Sequence, residues 1–254
     1  MHKVNRESEQ KERGNIMEEK KIIEVKDLSI HREEKDFWLN QIQFYLYEGE
    51  VLGIVGENGC GKSSLLRGIL GLLKMESGEI YIHGYRLGKD DKDWKTCVGY
   101  VSLDAMTGIT GKGIQVAKHL GSYYPDFSLE EFERYCGIFQ IDSKKRVEKL
   151  STGEKLLFGI AFALAHNPRL LVLDEPFSSL DPITRENVIE VLREVLEKGN
   201  MAMIYATHLM RELEQMADRI LYIENGRQKI FADVNELQDT YFKGKKMNFD
   251  ELFE

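Results

Sequence analysis

The sequence has few of the residues that mark a disulfide-bonded, zinc-binding or membrane-spanning chain. Its 254 residues include three cysteines, Cys60, Cys97 and Cys136, and no C-x-x-C spacing. Such a set indicates free thiols in a reducing compartment such as the cytosol. The longest apolar run, residues 156–165, is far shorter than the ~20 residues that span a bilayer. The N-terminus also lacks the apolar segment of a signal peptide.

An excess of positive charge is missing as well. The formal net charge is -8, from 35 Lys and Arg against 43 Asp and Glu. Because nucleic-acid binders usually present a basic face, this balance argues against nucleic acid as the main partner. Hydrophobic residues make up 42% of the chain, which is enough for a sizeable core. We therefore expect one large domain over residues 17–240.

The two ends of the chain differ in composition from its middle. Residues 1–16 are polar and predict a disordered extension, and Met17 offers a second possible start. We hypothesise that residues 1–16 are dispensable or not translated. The tail over residues 241–254 is basic and then acidic, and we expect it to pack loosely.

Between these ends, strand-like and helix-like segments alternate. Two alternating stretches, Ile22–Ile30 and Ile42–Tyr47, predict an antiparallel pair of strands. Further strands are predicted at 51–55, 79–82 (after a turn at Ser77–Gly78), 97–101, 170–173 and 201–206, with a hairpin around Asn225–Gly226. Helices are predicted at 62–73, 113–121, 128–139, 153–166, 182–198 and 209–216. The pattern predicts an α/β fold with a mainly parallel sheet, N-terminal antiparallel strands and an inserted α-helical lobe over about 104–168.

A glycine-rich segment follows the predicted strand at 51–55. It consists of Gly56, Glu57, Asn58, Gly59, Cys60, Gly61, Lys62 and Ser63, and it fits the pattern G-x-x-x-x-G-K-[ST]. The glycines let the backbone curl so that several N–H groups face one anion, and the next helix adds its positive end. In this pattern Lys62 reaches the β- and γ-phosphates, Ser63 gives its hydroxyl to magnesium, and Ser64 contacts the α-phosphate. This segment, called the phosphate loop below, predicts binding of ATP with magnesium.

Cys60 lies inside the phosphate loop, at a position that needs a small side chain. Because the N-terminus of a helix can lower a thiol pKa, we expect Cys60 to react with alkylating agents. We also expect bound ATP to protect it.

The second motif is a predicted strand that ends in two acidic residues. Leu170–Leu173 is apolar and continues into Asp174 and Glu175. A strand that ends in solvated acids is common by itself, but open α/β sheets bind their ligands at this edge. We expect Asp174 to hold magnesium, mostly through water, and Glu175 to orient and polarise the attacking water. Together with the phosphate loop, this motif predicts hydrolysis of ATP.

The order of these motifs resembles that of the ATP-binding-cassette (ABC) ATPases, P-loop NTPases with a helical lobe. Between the two motifs lie Leu150, Ser151, Thr152, Gly153 and Glu154, which resemble the family signature Leu-Ser-Gly-Gly-Gln. In the family this signature completes the ATP site of an opposite subunit. The resemblance therefore implies that Ser151, Gly153 and Glu154 contact ATP across a homodimer or heterodimer. As bare sequence, the same residues form a capping box before an apolar run.

Two further segments match the family. Ser178–Asp181 resembles the loop that links the two ATP sites across the dimer, and His208 resembles the histidine that contacts the γ-phosphate. The resemblance implies that Glu175, His208 and Lys62 are catalytic and that Asp181 belongs to the nucleotide site. As bare sequence, Ser178–Asp181 is a cap and turn before a helix, and a histidine at a strand end is unremarkable.

At two positions the sequence departs from the family pattern. The family's magnesium-contacting glutamine is replaced by Leu103, which cannot ligate a cation, and neighbouring Asp104 is the candidate substitute. The tyrosine that stacks on adenine is absent, so His31 or Arg32 are the candidates to stack on the base. Phe37 and Trp38 are predicted to pack in the core instead. We expect weak selectivity for the base, so that GTP also serves.

The resemblance implies the ATPase subunit of a transporter, held at the cytoplasmic face of the cell membrane by a separate transmembrane permease. ATP would close the dimer, and hydrolysis would reopen it. The segment Tyr123–Phe127 and the lack of a C-terminal regulatory domain resemble small exporters of Gram-positive-type bacteria, including exporters of peptides and antimicrobials. The alternative is a soluble ABC ATPase that acts on DNA or ribosomes. Such members usually carry two cassettes, a long coiled coil or a zinc insert, and none appears in this sequence.

Overall fold

The computed structural model describes residues 20–32, 37–89, 94–208 and 210–237. The predicted extension over residues 1–16 and the tail over residues 241–254 lie outside these ranges, so both remain predictions. Within the described ranges, no helix is both long enough and apolar enough to cross a bilayer.

Ten strands of the described chain form one sheet. They are β1 (Lys21–Arg32), β2 (Phe37–Tyr47), β3 (Val51–Val55), β4 (Ser77–Ile82), β5 (Tyr85–Arg86), β6 (Val98–Val101), β7 (Leu170–Asp174), β8 (Ala202–Thr207), β9 (Arg219–Glu224) and β10 (Arg227–Asp233). Their order across the sheet is β5-β4-β1-β2-β10-β9-β3-β8-β7-β6.

The half of the sheet that runs from β9 to β6 is parallel. β3 pairs with β8 and β9, and β7 pairs with β6 and β8, all in the same direction. Every residue of β3 and of β8 is buried, which explains why these strands are continuous apolar runs. The carboxyl ends of β3, β7 and β8 therefore meet at one edge. The mainly parallel sheet predicted from the sequence is confirmed.

The other half of the sheet is antiparallel. β1 pairs with β2, with Val25 opposite Phe44, and β4 pairs with the other edge of β1. A single parallel bridge between Asn40 and Arg227 joins this half to β10. The predicted antiparallel pair is therefore confirmed. The predicted turn at Ser77–Gly78 is wrong, because Ser77 already pairs with Ser29 as the first residue of β4.

Besides two 3₁₀-helices at Trp94–Cys97 and Val147–Lys149, eight α-helices occur in the described ranges. They are α1 (Lys62–Ile69), α2 (Leu103–Met106), α3 (Gly113–Gly121), α4 (Leu129–Ile138), α5 (Thr152–Ala165), α6 (Pro182–Glu197), α7 (Met210–Met216) and α8 (Val234–Leu237). Helix α1 ends at Ile69 and not at the predicted Leu73. The reason is Gly71, whose φ of 65° reverses the chain so that the Leu72 N–H donates to the Arg67 carbonyl at 2.8 Å.

Helices α2 to α5 lie between β6 and β7 in the chain and form the inserted lobe. The rings of Phe132 on α4 and Phe158 on α5 meet edge-on, with centroids 5.4 Å apart. Both rings belong to an apolar cluster that also contains Phe177 and Tyr205, next to the ends of β7 and β8. The lobe, the loop that follows β7 and the strand β8 therefore share one core.

Candidate nucleotide site

The phosphate loop joins β3 to α1, and its glycines are required by shape. Gly56 and Gly61 have φ values of 155° and 117°. A Cβ atom on Gly56 would lie 2.2 Å from the Ile223 carbonyl oxygen, and one on Gly61 would lie 2.7 Å from Leu39. Only glycine fits these positions, so the chain can curl tightly between the strand and the helix.

The Lys62 side chain crosses the inside of this loop. It is 5% exposed, and its Nζ donates to the carbonyl oxygens of Gly56 at 2.7 Å and of Glu57 at 3.1 Å. The ammonium group is therefore held within the curl of the loop, where it adds to the positive end of α1. Such a concavity is suited to a phosphate group.

Ser63 and Asp174 bring two oxygen donors together. The Ser63 hydroxyl donates to Asp174 Oδ1 at 3.1 Å, because α1 begins beside the end of β7. Burial raises the pKa of the Asp174 carboxyl, while the bond from Ser63 lowers it and the Glu175 charge raises it further. Ser64, the next residue of α1, is 8% exposed. The predicted magnesium ligands therefore lie beside each other.

Glu175 and His208 face each other at the ends of the neighbouring strands β7 and β8. His208 Nδ1 lies 3.2 Å from Glu175 Oε1. Glu175 has a φ of 51°, which is uncommon for a residue with a side chain, and its N–H donates to the Ala206 carbonyl at 3.0 Å. Such strained positions cluster at functional sites.

A cavity of about 550 Å³ opens beside these groups, and among the described residues that line it Asp174 and His208 do not appear. Its lining combines the phosphate loop and α1 with residues from four other segments: Arg32, Phe37, Asn58, Gly59, Gly61, Lys62, Ser63, Ser64, Arg67, Asp104 and Glu175. A neighbouring cavity of about 660 Å³ shares Phe37, Asn58 and Gly59 with it and also contains Trp38 and Tyr222.

Trp38 does not pack in the core, so that prediction is wrong. The side chain is 49% exposed, lines the larger cavity, and stacks on His31 with ring centroids 4.0 Å apart. The alternation of β2 explains this, because its neighbour Leu39 takes the buried face. Phe37 is half-buried and covers Gly61, while Arg32 lines the phosphate cavity.

Asp104, the neighbour of Leu103, lines the cavity. Ser102 caps the short helix α2 by accepting a bond from the Ala105 N–H at 3.0 Å, and this brings Asp104 toward α1. The carboxylate pairs with Arg67 Nη2 at 2.6 Å, and its side chain is 79% exposed. Leu103 packs against the core of the lobe. The role of Asp104 as a metal ligand stays a prediction.

Arg67 is a site residue that the motifs did not reveal. It lines the cavity, and its positive charge lowers the pKa of Asp174. The available signal was its position four residues after Ser63 in a predicted helix, since that spacing places two side chains on one face.

The signature residues lie outside this cavity. Ser151 caps α5 by accepting from the Glu154 N–H, and Glu154 accepts from the Ser151 N–H at 2.6 Å. Among the described residues that line the cavity, neither of them appears, and Gly153 is also missing. Gly153 instead packs beside the Ser179 carbonyl. Asp181 caps α6, accepting from the N–H groups of Ile183 and Thr184. Their contacts with nucleotide stay predictions.

Cys60, a member of the phosphate loop, is buried. Burial raises the pKa of its thiol, and the nearby charge of Lys62 lowers it by less. The expectation that the helix N-terminus lowers this pKa is therefore wrong, because loss of solvent outweighs the local positive charge.

Comparison with known proteins identifies the family. A family model described as ABC transporter matches residues 39–178. The chain belongs to the ABC transporter family. This membership agrees with the ATPase class predicted from the phosphate loop and from the strand that ends in Asp174 and Glu175.

Three curated relatives are ATP-binding proteins. YdbJ of Bacillus subtilis (strain 168), named as an uncharacterized ABC transporter ATP-binding protein, is 35% identical and covers 80% of this chain and 65% of its own length. The linearmycin resistance protein LnrL of the same organism is 34% identical over 73% of this chain and 61% of LnrL. The bacitracin transport protein BcrA of Bacillus licheniformis is 31% identical over 81% of this chain and 68% of BcrA. The chain thus spans less than two thirds of the length of the first two relatives.

The similarity extends to a protein named for import and to a solved structure. A methionine import ATP-binding protein of Carboxydothermus hydrogenoformans (strain ATCC BAA-161 / DSM 6008 / Z-2901) is 31% identical over 74% of this chain and 59% of its own length. The solved structure described as the ATP binding subunit of an ABC transporter is 26% identical. It covers 91% of this chain and 98% of its own, with a TM-score of 0.79. The ABC ATPase fold is therefore shown.

Proposed function

We propose that this ABC ATPase binds ATP with magnesium and hydrolyses it to power export through a separate permease at the cytoplasmic face of the membrane. One observation carries the hydrolytic part. Three adjacent strand ends bring together the Lys62 ammonium, the Ser63–Asp174 pair and the Glu175–His208 pair. They supply phosphate binding, metal ligation and activation of water.

The Ser63 hydroxyl and the Asp174 carboxylate fit a magnesium ion. Mg²⁺ prefers oxygen donors and usually takes one or two from the protein, with water and phosphate oxygens completing the shell. Burial raises the pKa of Asp174, because the charged carboxylate loses contact with water. A bound cation would compensate that negative charge. When bound, magnesium neutralises charge on the phosphates.

The remaining groups divide the chemistry between them. Lys62 and the loop N–H groups hold the β- and γ-phosphates. A Glu175 oxygen accepts a proton from water as that water attacks the γ-phosphorus, the bond to the bridging oxygen breaks, and ADP leaves with the electron pair. His208, 3.2 Å from Glu175, keeps the carboxylate oriented and contacts the γ-phosphate.

The position of the signature supports dimer closure. Ser151, Gly153 and Glu154 sit at the exposed start of α5, outside the cavity of their own chain. The N-terminus of this 14-residue helix attracts an anion. The phosphates of ATP bound to a second copy of the chain would supply that anion. Each site would then be completed by the other subunit, with the loop at 178–181 between them.

A Glu175→Gln variant tests this mechanism. Because the phosphate and magnesium contacts remain, it should bind ATP, fail to hydrolyse it and accumulate as a dimer by light scattering. Lys62→Ala should instead lose nucleotide binding itself, seen by calorimetry. Glu186→Gln, on the exposed side of α6, is the matched control and should behave as wild type. A Glu175→Gln protein that stays monomeric at saturating ATP contradicts dimer closure.

Export of peptides or other antimicrobials is the transport role we propose. The segment Tyr123–Phe127 supports it, as does similarity to proteins named for linearmycin resistance and bacitracin transport. Affinity purification from membranes should recover a permease with the chain, and added peptide antimicrobials should stimulate ATP hydrolysis by that complex. Recovery with ribosomes, and no permease, would overturn the proposal.

A further inference from the structure

Two loops hold the catalytic groups proposed above. One covers residues 175–181, between β7 and α6, and the other begins at Thr207, the last residue of β8, and continues into His208. The Glu212 carboxylate and the Arg185 guanidinium contact these two loops, although neither residue lines the nucleotide cavity. Glu212 lies on α7, which follows His208, and Arg185 lies on α6, which follows the first loop.

Glu212 is an acid with almost no access to water. Its side chain is 3% exposed, and Oε2 accepts a hydrogen bond from Thr207 Oγ1 at 2.5 Å. The Glu212 backbone carbonyl accepts from the buried Tyr205 hydroxyl at 2.9 Å. The carboxylate is therefore fixed against the residue that precedes His208.

Arg185 holds the other loop. Its Nη2 donates to the carbonyl oxygens of Phe177 and Leu180, both at 3.4 Å, on either side of Ser178–Ser179. Its Nε lies 3.9 Å from Glu212 Oε1. Within the part of the chain that the structure describes, these two atoms are buried and neither makes a hydrogen bond.

We propose that Glu212 and Arg185 are positioning residues that lock the loop 175–181 to His208, and that Nε and Oε1 close to hydrogen-bond distance when ATP is bound. A shift of about 1 Å is enough, because charged N–H···O bonds are about 2.7–2.9 Å long. A buried donor and a buried acceptor that make no hydrogen bond destabilise the fold. Shortening the distance between Arg185 Nε and Glu212 Oε1 therefore stabilises the arrangement in which Glu175 and His208 act together. The inference rests on the roles proposed for those two residues.

The test compares two variants of the full chain with a matched control in single-turnover hydrolysis. Glu212→Gln still accepts from Thr207 but loses its charge, and Arg185→Met keeps the apolar stem. Each should lower the rate of hydrolysis by about tenfold or more and change the ATP affinity by less than about twofold. Arg193→Met is the control, because Arg193 also links α6 to α7, through the Gln215 carbonyl, but is two turns farther along α6.

Three further measurements separate positioning from a structural role. The double variant should lose no more activity than either single variant, since both break one coupling. Arg185→Lys should restore part of the rate. Amide hydrogen exchange over residues 175–181 should rise in Glu212→Gln and remain unchanged in Arg193→Met.

The outcomes distinguish this inference from the proposed function. If Glu212→Gln hydrolyses ATP as wild type while Glu175→Gln is inactive, the inference fails and the site assignment stands. Additive losses in the double variant, or losses that follow the unfolding temperature, also overturn the inference. If Glu175→Gln keeps its activity, the proposed function itself fails.

Discussion

Ser63 donates a hydrogen bond to Asp174 across 3.1 Å, although 111 positions separate the two residues in the chain. The contact exists because β7 and α1 meet at the same edge of the parallel sheet. It joins the phosphate loop to the acidic strand end, and burial raises the pKa of the carboxyl there. The buried Asp174 carboxylate therefore lowers the stability of the nucleotide-free protein.

Replacing Asp174 by Asn should stabilise the nucleotide-free chain and abolish magnesium-dependent hydrolysis. A carboxyl with a raised folded pKa binds protons more tightly in the folded state, so its unfavourable charge weakens the fold as the pH rises through that pKa. The unfolding temperature of Asp174→Asn should exceed that of wild type at about pH 8, and the difference should shrink toward about pH 4. Asp126→Asn, an exposed acid, is the control. A variant less stable than wild type at both pH values contradicts this prediction.

Asp104→Ala should cause a modest loss of hydrolysis, about two- to fivefold. The side chain is 79% exposed and pairs with Arg67, and exposed ion pairs contribute little free energy. The measurement is the rate as a function of magnesium concentration, with Glu175→Gln alongside. A loss as large as that of Glu175→Gln, with a raised magnesium requirement, would instead make Asp104 a metal ligand.

Trp38→Ala should weaken the binding of ATP and GTP to a similar extent, by roughly tenfold, because stacking on a base contributes about 1–3 kcal/mol and tolerates any base. The indole is exposed and already stacks on His31 beside the phosphate loop. Nucleotide should quench Trp38 fluorescence in the wild type, while the buried Trp94 supplies an unchanged reference. Leu72→Ala, another exposed apolar residue, is the control. Unchanged affinity in Trp38→Ala would remove the indole from the base site.

Cys60 should react slowly with iodoacetamide, and bound ATP should slow this alkylation further. Burial raises the pKa of its thiol, so less thiolate is present at neutral pH than in a free cysteine, and the rate should keep rising above about pH 9. Cys97, which is partly exposed, is the internal control. Mass spectrometry of each peptide gives both rates, and equal rates for Cys60 with and without ATP would contradict the protection.

The fold class and the phosphate-binding residues were predictable because they depend on local signals. An apolar strand, a run of glycines and a helix start follow one another between Val51 and Ser63, and no distant contact is needed to recognise them. The same holds for Asp174 and Glu175 at the end of an apolar strand, and for the hairpin around Asn225–Gly226, whose φ values are 47° and 73°.

The errors arose where neighbours in space outweigh neighbours in sequence. Trp38 lies in an alternating strand, and only the packing of β2 decides that Leu39 and not Trp38 is buried. Cys60 precedes a helix, which lowers a thiol pKa, but the protein around it removes water and reverses the sign.

The sequence by itself determined which chemical groups this protein has for phosphate, metal and water, because each group belongs to a short segment with its own conformational preference. The tertiary structure decided which of them meet. It brought Ser63 to Asp174 and His208 to Glu175, and it left Ser151 and Gly153 outside the lining of their own chain's cavity. It also placed Arg185 beside Glu212, because pairing and packing between distant segments depend on strand order and core shape, which no local pattern encodes.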